Sequence, residues 1–212
     1  MKFLNLQRMG GIAIITGSAL FTAWAVCWTL LLPVNERSRD VSVMIQNPNW
    51  IWIASLAFAG IILMIFGFTA AYGRIYASSG ISGFLGYIFI ITAYIFQAAK
   101  VTWEIFIYPA IISYGPAVPL FRDKILFLHS QVGLFRLLAE WTIIPGVILF
   151  SRSLIKSSEF PKISGFLILF GAVIYAIGPM INIYLAIAGV LALSAGCFIM
   201  GFKMFSIFRS EH

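Results

Sequence analysis

Six long apolar stretches follow one another along the chain, separated by short polar segments. Each has about the 17–25 residues that a helix needs to cross the hydrocarbon core of a bilayer. The pattern predicts an all-α protein that is a single integral membrane bundle of six transmembrane helices over residues 1–212. We expect these helices at about residues 9–32, 50–71, 84–108, 125–150, 162–178 and 181–205.

Prolines and capping residues suggest where the helices begin and end. Pro33 should stop the first helix, and Pro109 should end or kink the third. Asn49 and Asp123 are residue types that cap helix N-termini, and they precede the second and fourth stretches. Pro161 is a favoured first-turn residue for the fifth helix.

The composition is that of a membrane protein. Of the 212 residues, 61% are hydrophobic and 10% are charged, whereas soluble domains carry about 25% charged residues. The net charge of +7 does not indicate nucleic-acid binding, because the basic residues lie mostly in short loops beside apolar stretches. The apolar stretch at residues 9–32 is too long for a typical signal peptide, so we expect it to be a retained helix.

Basic residues are unevenly distributed between the two ends of the predicted bundle, with eight at one end and four at the other. By the positive-inside rule, the end with eight faces the cytoplasm, which makes both termini cytoplasmic. The eight are Lys2, Arg8, Arg74, Arg152, Lys156, Lys162, Lys203 and Arg209, and the four are Arg37, Arg39, Arg122 and Lys124.

Two consecutive predicted helices each carry a basic and an acidic residue one turn apart. Lys100 and Glu104 lie in the third helix, and Arg136 and Glu140 lie in the fourth. A charge near the bilayer centre costs about 3 kcal/mol on insertion scales, so pairing or function must offset it. The helical rise places Lys100 about 12 Å and Arg136 about 15 Å below the outer helix ends. We therefore expect Glu104 to pair with Arg136, and Lys100 with Glu140.

Further polar residues extend these charges into one stripe on each helix, because they recur every three or four residues. If the two stripes face each other, they line a pocket that opens toward the outer face. The candidate pocket residues are Lys100, Glu104, Arg136 and Glu140, with Gln97, Tyr108 and His129 as secondary lining. Such a pocket predicts a protein that binds or transports a small solute or ion.

A second interpretation is a non-catalytic accessory or assembly subunit with a protein partner or a second copy of itself. The same charges would then form an ion-pair network that only fixes the helix register. An enzyme is not indicated, because no HExxH, GxSxG or P-loop motif occurs and the aspartates, Asp40 and Asp123, lie in loops. We expect the lipid bilayer as surroundings, and no cofactor, metal or nucleic acid.

Residues 6–13 and 103–110 resemble segments of small multi-pass bacterial membrane proteins. The resemblance implies no activity, and we expect the protein in a cell membrane, that of a bacterium (the inner membrane).

Overall fold

The computed structural model describes residues 2–34, 40–128 and 130–206, and all regular structure in this part of the chain is helical. Four helical segments are apolar and long enough to cross a membrane, in agreement with the predicted all-α membrane protein. These segments are Leu6–Leu31, Trp50–Ser113, Gln131–Lys156 and Tyr184–Ser206. Among the residues used above, Arg37, Arg39, His129 and Arg209 lie outside the described residues.

The helices are labelled in chain order. A π-helical turn (Trp103–Ile107) separates α3 from α4, and a 3-10 turn (Gly115–Ala117) separates α4 from α5. The ten α-helices of the described residues are α1 (Lys2–Leu31), α2 (Val41–Gln46), α3 (Trp50–Thr102), α4 (Tyr108–Ser113), α5 (Val118–Arg122), α6 (Ile125–Leu128), α7 (Gln131–Trp141), α8 (Ile143–Lys156), α9 (Lys162–Ile181) and α10 (Ile183–Ser206).

α3 consists of two antiparallel helical arms, and the chain reverses direction between them at Gly80. This residue has φ 58° and ψ −164°, a conformation open essentially to glycine alone. Close to the two ends of the hairpin, the Trp50 indole N–H donates a 2.7 Å hydrogen bond to the carbonyl oxygen of Glu104. A straight helix would hold these groups about 80 Å apart. We call residues 50–79 the first arm of α3 and residues 81–102 its second arm.

The long helices form a ring in which each packs against two neighbours. α1 lies against the first arm of α3, the second arm lies against α8, and α9 and α10 complete the circuit back to α1. The α9–α10 contact is especially close, because Gly171 faces the backbone of Leu193 and Gly189 faces the backbone of Tyr175. A Cβ atom at either glycine would overlap the opposite backbone, so glycine permits this approach.

The ring is incomplete beside α7. This helix packs against α3, α6 and α8, but it hardly touches α9. α8 continues the direction of α7 and packs against α9, so the gap is confined to the level of α7 and the C-terminal half of α9. α7 and α9 are therefore not packed closely against each other, and we call this break in the ring the α7–α9 opening.

Both predicted interruptions of the helical pattern are present, and both are shorter than expected. The break between the second and third predicted helices, expected over residues 72–83, is the single non-helical residue Gly80, so each arm is helical up to the reversal. The interruption expected at Pro109 is a π-helical turn just before it, and α4 then begins with this proline in its first turn. Proline lacks an N–H and clashes with the carbonyl four residues earlier, and the π-helical turn just before it relieves both problems.

Neither predicted N-cap caps its helix. The side chain of Asn49 accepts a 2.9 Å hydrogen bond from the Trp52 indole N–H and none from the helix. Asp123 forms a 3.1 Å ion pair with Arg122. The fourth apolar helix begins instead after Ser130, whose hydroxyl oxygen accepts a hydrogen bond from the first turn of α7. It therefore starts at residue 131 rather than at residue 125.

Replacing Gly80 by Ala should destabilise the protein by about 1–3 kcal/mol, because alanine must adopt a backbone conformation that glycine alone tolerates. A Cβ atom at this position meets nothing within 4 Å, so the cost is backbone strain and not a clash. Thermal unfolding in detergent measures the effect. Gly115→Ala is the matched control, because its Cβ is equally unobstructed and its φ is not positive. Equal stability losses at the two positions would contradict the explanation.

Candidate functional site

The charges of α3 and α7 meet at one atom, the carboxylate oxygen Oε1 of Glu140. Arg136 lies one turn earlier on α7, and its Nε is 3.0 Å from this oxygen. Lys100 comes from the second arm of α3, and its Nζ is 3.9 Å from the same oxygen. The expected Lys100–Glu140 pair is therefore present, and Arg136 joins it.

Glu104 stands apart from these ion pairs. Its carboxylate has no hydrogen bond and no ion pair within 4.0 Å among the described residues, so the expected pair with Arg136 is not formed. The reason is local, since residues four apart on one helix are neighbours and Arg136 reaches Glu140 first. Lys100, Arg136 and Glu140 remain close enough to act on Glu104 electrostatically.

The backbone, rather than a side-chain pair, holds Glu104 in place. The residue lies in the π-helical turn that precedes Pro109, and its carbonyl oxygen accepts the hydrogen bond from Trp50. A π-helical turn widens the helix, and such turns are frequent at functional sites. The tryptophan is on the opposite arm of the hairpin, so the fold at Gly80 also helps to position Glu104.

The secondary residues have different surroundings. Gln97 donates a 3.2 Å hydrogen bond from its amide nitrogen to the carbonyl oxygen of Ala139, which ties the second arm of α3 to α7. Tyr108 is only 5% exposed, and its ring packs edge-on against Phe121 and Phe127 at centroid distances of 5.3 and 5.9 Å. Both residues thus lie beside the charges, and His129 lies outside the described residues.

Several aromatic residues at the site were not expected from the sequence. Phe127 lies beneath the Arg136 guanidinium, whose central carbon is 5.4 Å from the ring centroid. Tyr175 of α9 lies within electrostatic range of Glu104, Arg136 and Glu140. The contacts link helices that are distant along the chain, and periodicity within one helix gives no signal for them.

The site is open on one side. The Lys100 side chain is 16% exposed, whereas the side chains of Arg136 and Glu140 are 46% and 42% exposed. Tyr175 of α9 is within electrostatic range of both, so the half-exposed pair lies on the side of α7 nearest the α7–α9 opening. Charged groups need water or a polar partner, so this opening is suited to hold one or the other.

Neither a metal cluster nor a relative identifies the chemistry of this site. Within the described residues, no three His, Cys, Asp or Glu side chains are grouped so that they could hold a metal ion. Comparisons with protein families, curated proteins and solved structures give no match to this chain. Only the arrangement of the four charged side chains therefore bears on the function of the site.

Glu140→Gln should destabilise the protein by about 1–2 kcal/mol, because it leaves both Lys100 and Arg136 without a charged acceptor. The loss should be smaller than that of a fully buried pair, since Glu140 is partly exposed. Glu104→Gln is the matched control, because this carboxylate holds neither cation within 4.0 Å. Thermal unfolding in detergent ranks the two variants, and an equal or greater loss for Glu104→Gln would contradict the assigned pairing.

Proposed function

We propose that the chain is a multi-pass protein of the bacterial inner membrane with six transmembrane helices and both termini in the cytoplasm. At the site formed by Lys100, Glu104, Arg136 and Glu140, it binds or transports a small solute or ion. The six spans are α1, the two arms of α3, the α7–α8 pair, α9 and α10. The second arm continues through the π-helical turn into α4.

The fold-back at Gly80 supports six spans, because it divides the 64-residue apolar segment into two antiparallel halves. The first arm alone is about 45 Å long, more than the bilayer core requires. Contacts at the basic end support the grouping of these basic residues at one end of the bundle, on which the positive-inside assignment depends. Arg74 forms a 2.8 Å ion pair with Glu159, and the Arg8 guanidinium lies 5.1 Å from the ring centroid of Phe205.

The observation that carries the proposed binding function is the unpaired carboxylate of Glu104. A network that served only to hold helices together would be expected to pair all of its charges, because an unpaired intramembrane charge is costly. Here Lys100 and Arg136 both contact Glu140, whereas Glu104 has no ion pair and is held through its backbone carbonyl. This arrangement is suited to a site whose remaining partner is water, a proton or a solute.

A non-catalytic accessory subunit is the second candidate. It is favoured by the exposed apolar face of α7, which could meet lipid, a partner protein or a second copy of the chain. Leu134, Leu137, Leu138 and Trp141 are all at least half exposed on this helix. In that case the Glu140 contacts and the Gln97–Ala139 hydrogen bond would serve the helix register alone.

Six spans predict a specific labelling pattern for single cysteines placed in a chain that lacks Cys27 and Cys197. Cysteines at Gln46 and Gly115 should react with a membrane-impermeant maleimide in intact cells. Cysteines at Ser78 and Ser158 should react only after the cells are permeabilised. All four positions are exposed, so accessibility in the folded protein does not limit the reaction.

Each pair of positions serves as the control for the other. Labelling of both Gln46→Cys and Ser78→Cys in intact cells would contradict a first arm of α3 that crosses the membrane. Labelling of Gly115→Cys only after permeabilisation would contradict the proposed orientation.

A hydrated pocket predicts that Glu104→Cys reacts with a small cationic methanethiosulfonate, because water reaches the site and ionises the thiol. Leu137→Cys is the control in the membrane, since this half-exposed leucine lies on the apolar face of α7. It should remain unreactive in lipid nanodiscs. If both positions are unreactive while the protein stays folded, the pocket is closed and the accessory interpretation is favoured.

A further inference from the structure

The pairing pattern leaves one charge of the site available. The two cations, Lys100 and Arg136, both contact Glu140, and the formal charges of these residues and Glu104 sum to zero. Only the carboxylate of Glu104 has no ion pair or hydrogen bond among the described residues. A ligand would therefore find the Glu104 carboxylate unpaired, whereas Lys100 and Arg136 already contact Glu140.

A row of four aromatic rings leads from α1 to Glu104. Phe21 stacks on Trp24 at a centroid distance of 4.9 Å, Trp24 lies 5.9 Å from Trp28, and Trp28 lies 5.0 Å from Trp50. The last ring contacts the main chain of Glu104, because its indole nitrogen donates a 2.7 Å hydrogen bond to the backbone carbonyl oxygen of that residue. We call Phe21, Trp24, Trp28 and Trp50 the aromatic row.

Three of the four rings in the aromatic row are partly exposed. Phe21, Trp24 and Trp28 are only partly buried, whereas Trp50 is fully buried at the Glu104 end. Tyr175 packs edge-on against Phe21 at 6.2 Å and also lies within range of the charges. The row therefore extends from Glu104 toward α9, which borders the α7–α9 opening.

An unpaired carboxylate and several tryptophan rings together favour an organic cation as ligand over a metal cation or an anion. Tryptophan faces attract cations, and the effect grows when the cation is removed from water. A metal cation such as Ca²⁺ or Mg²⁺ would need about six oxygen ligands, and the described residues provide no such group here. An anion would have to share Lys100 and Arg136 with Glu140, which already contacts both, and it would be repelled by that carboxylate.

We infer that the ligand of this site is a hydrophobic organic cation, such as a quaternary ammonium or phosphonium ion, bound between the Glu104 carboxylate and the aromatic row. The inference rests on the proposed binding function and specifies its ligand class. The carboxylate provides the counter-charge, and the rings contact the apolar substituents. Such a cation spreads its charge over a large surface, so it loses less hydration than a compact ion when it enters the membrane.

The test uses the full-length protein in lipid nanodiscs and measures equilibrium binding of radiolabelled tetraphenylphosphonium. Saturable binding is expected for the unchanged protein, and about tenfold weaker binding is expected for Glu104→Gln. Glu159→Gln is the matched control, because it removes another carboxylate that is ion-paired with Arg74, away from the site. Its binding should be unchanged, and thermal unfolding confirms that each variant is folded.

Trp28→Leu tests the aromatic row without altering Glu104. Binding should weaken about threefold or more, because one cation-attracting ring is lost. This variant also decides the question if Glu104→Gln does not fold. Unchanged tetraphenylphosphonium binding in either folded variant would overturn the inference, because the probe would then be bound elsewhere.

A second probe separates the ligand class from the binding function. If radiolabelled benzoate binds, and its binding is lost in Arg136→Gln, the pocket exists but the inferred cation class is wrong. If neither probe binds and a cysteine at Glu104 is also unreactive, the binding function fails together with the inference.

Discussion

The arrangement of the site depends on the contact between Glu140 and two cations. Lys100 and Arg136 lie in apolar helices, and leaving both without a charged acceptor should cost about 1–2 kcal/mol at this partly exposed position. One carboxylate oxygen serves both, and it joins the second arm of α3 to α7 in a single register. That register sets Gln97 against the carbonyl oxygen of Ala139 and leaves Glu104 outside the ion pairs. Glu104 thus has no ion pair because Lys100 and Arg136 are both paired with Glu140.

Backbone features determine where the free carboxylate lies. Pro109 cannot continue an ordinary α-helix, and the π-helical turn before it carries Glu104. The reversal at Gly80 returns the chain so that Trp50 can donate to the carbonyl oxygen of the same residue. A helix that is locally weakened by proline is therefore supported by a hydrogen bond from a residue 54 positions earlier in the chain. This backbone hydrogen bond positions Glu104 and leaves its carboxylate without a partner.

The sequence was informative about composition and spacing and much less so about contacts between distant segments. Apolar stretches predicted the helices, and the depth of the charges predicted the pairing of Lys100 with Glu140, because both depend on helical rise alone. The partner of Arg136 was predicted wrongly, since Glu140 is four residues away on its own helix and Glu104 is on another. Trp50 and Tyr175 could not be assigned to the site, because their positions depend on the turn at Gly80 and on the packing of α9. Asn49 and Asp123 suited the N-cap role, but their side chains found Trp52 and Arg122 instead.

The central claim is that Glu140 contacts both cations while Glu104 remains accessible to solvent or ligand. An experimental structure in lipid nanodiscs, at a resolution that reveals ordered water, tests this claim most directly. We predict both cationic nitrogens within about 4 Å of the Glu140 carboxylate, a normal ion-pair separation. Water or a bound cation should lie against the carboxylate of Glu104, on the side of the aromatic row. A dry contact between Glu104 and Arg136, with no water or ligand beside it, would contradict the account.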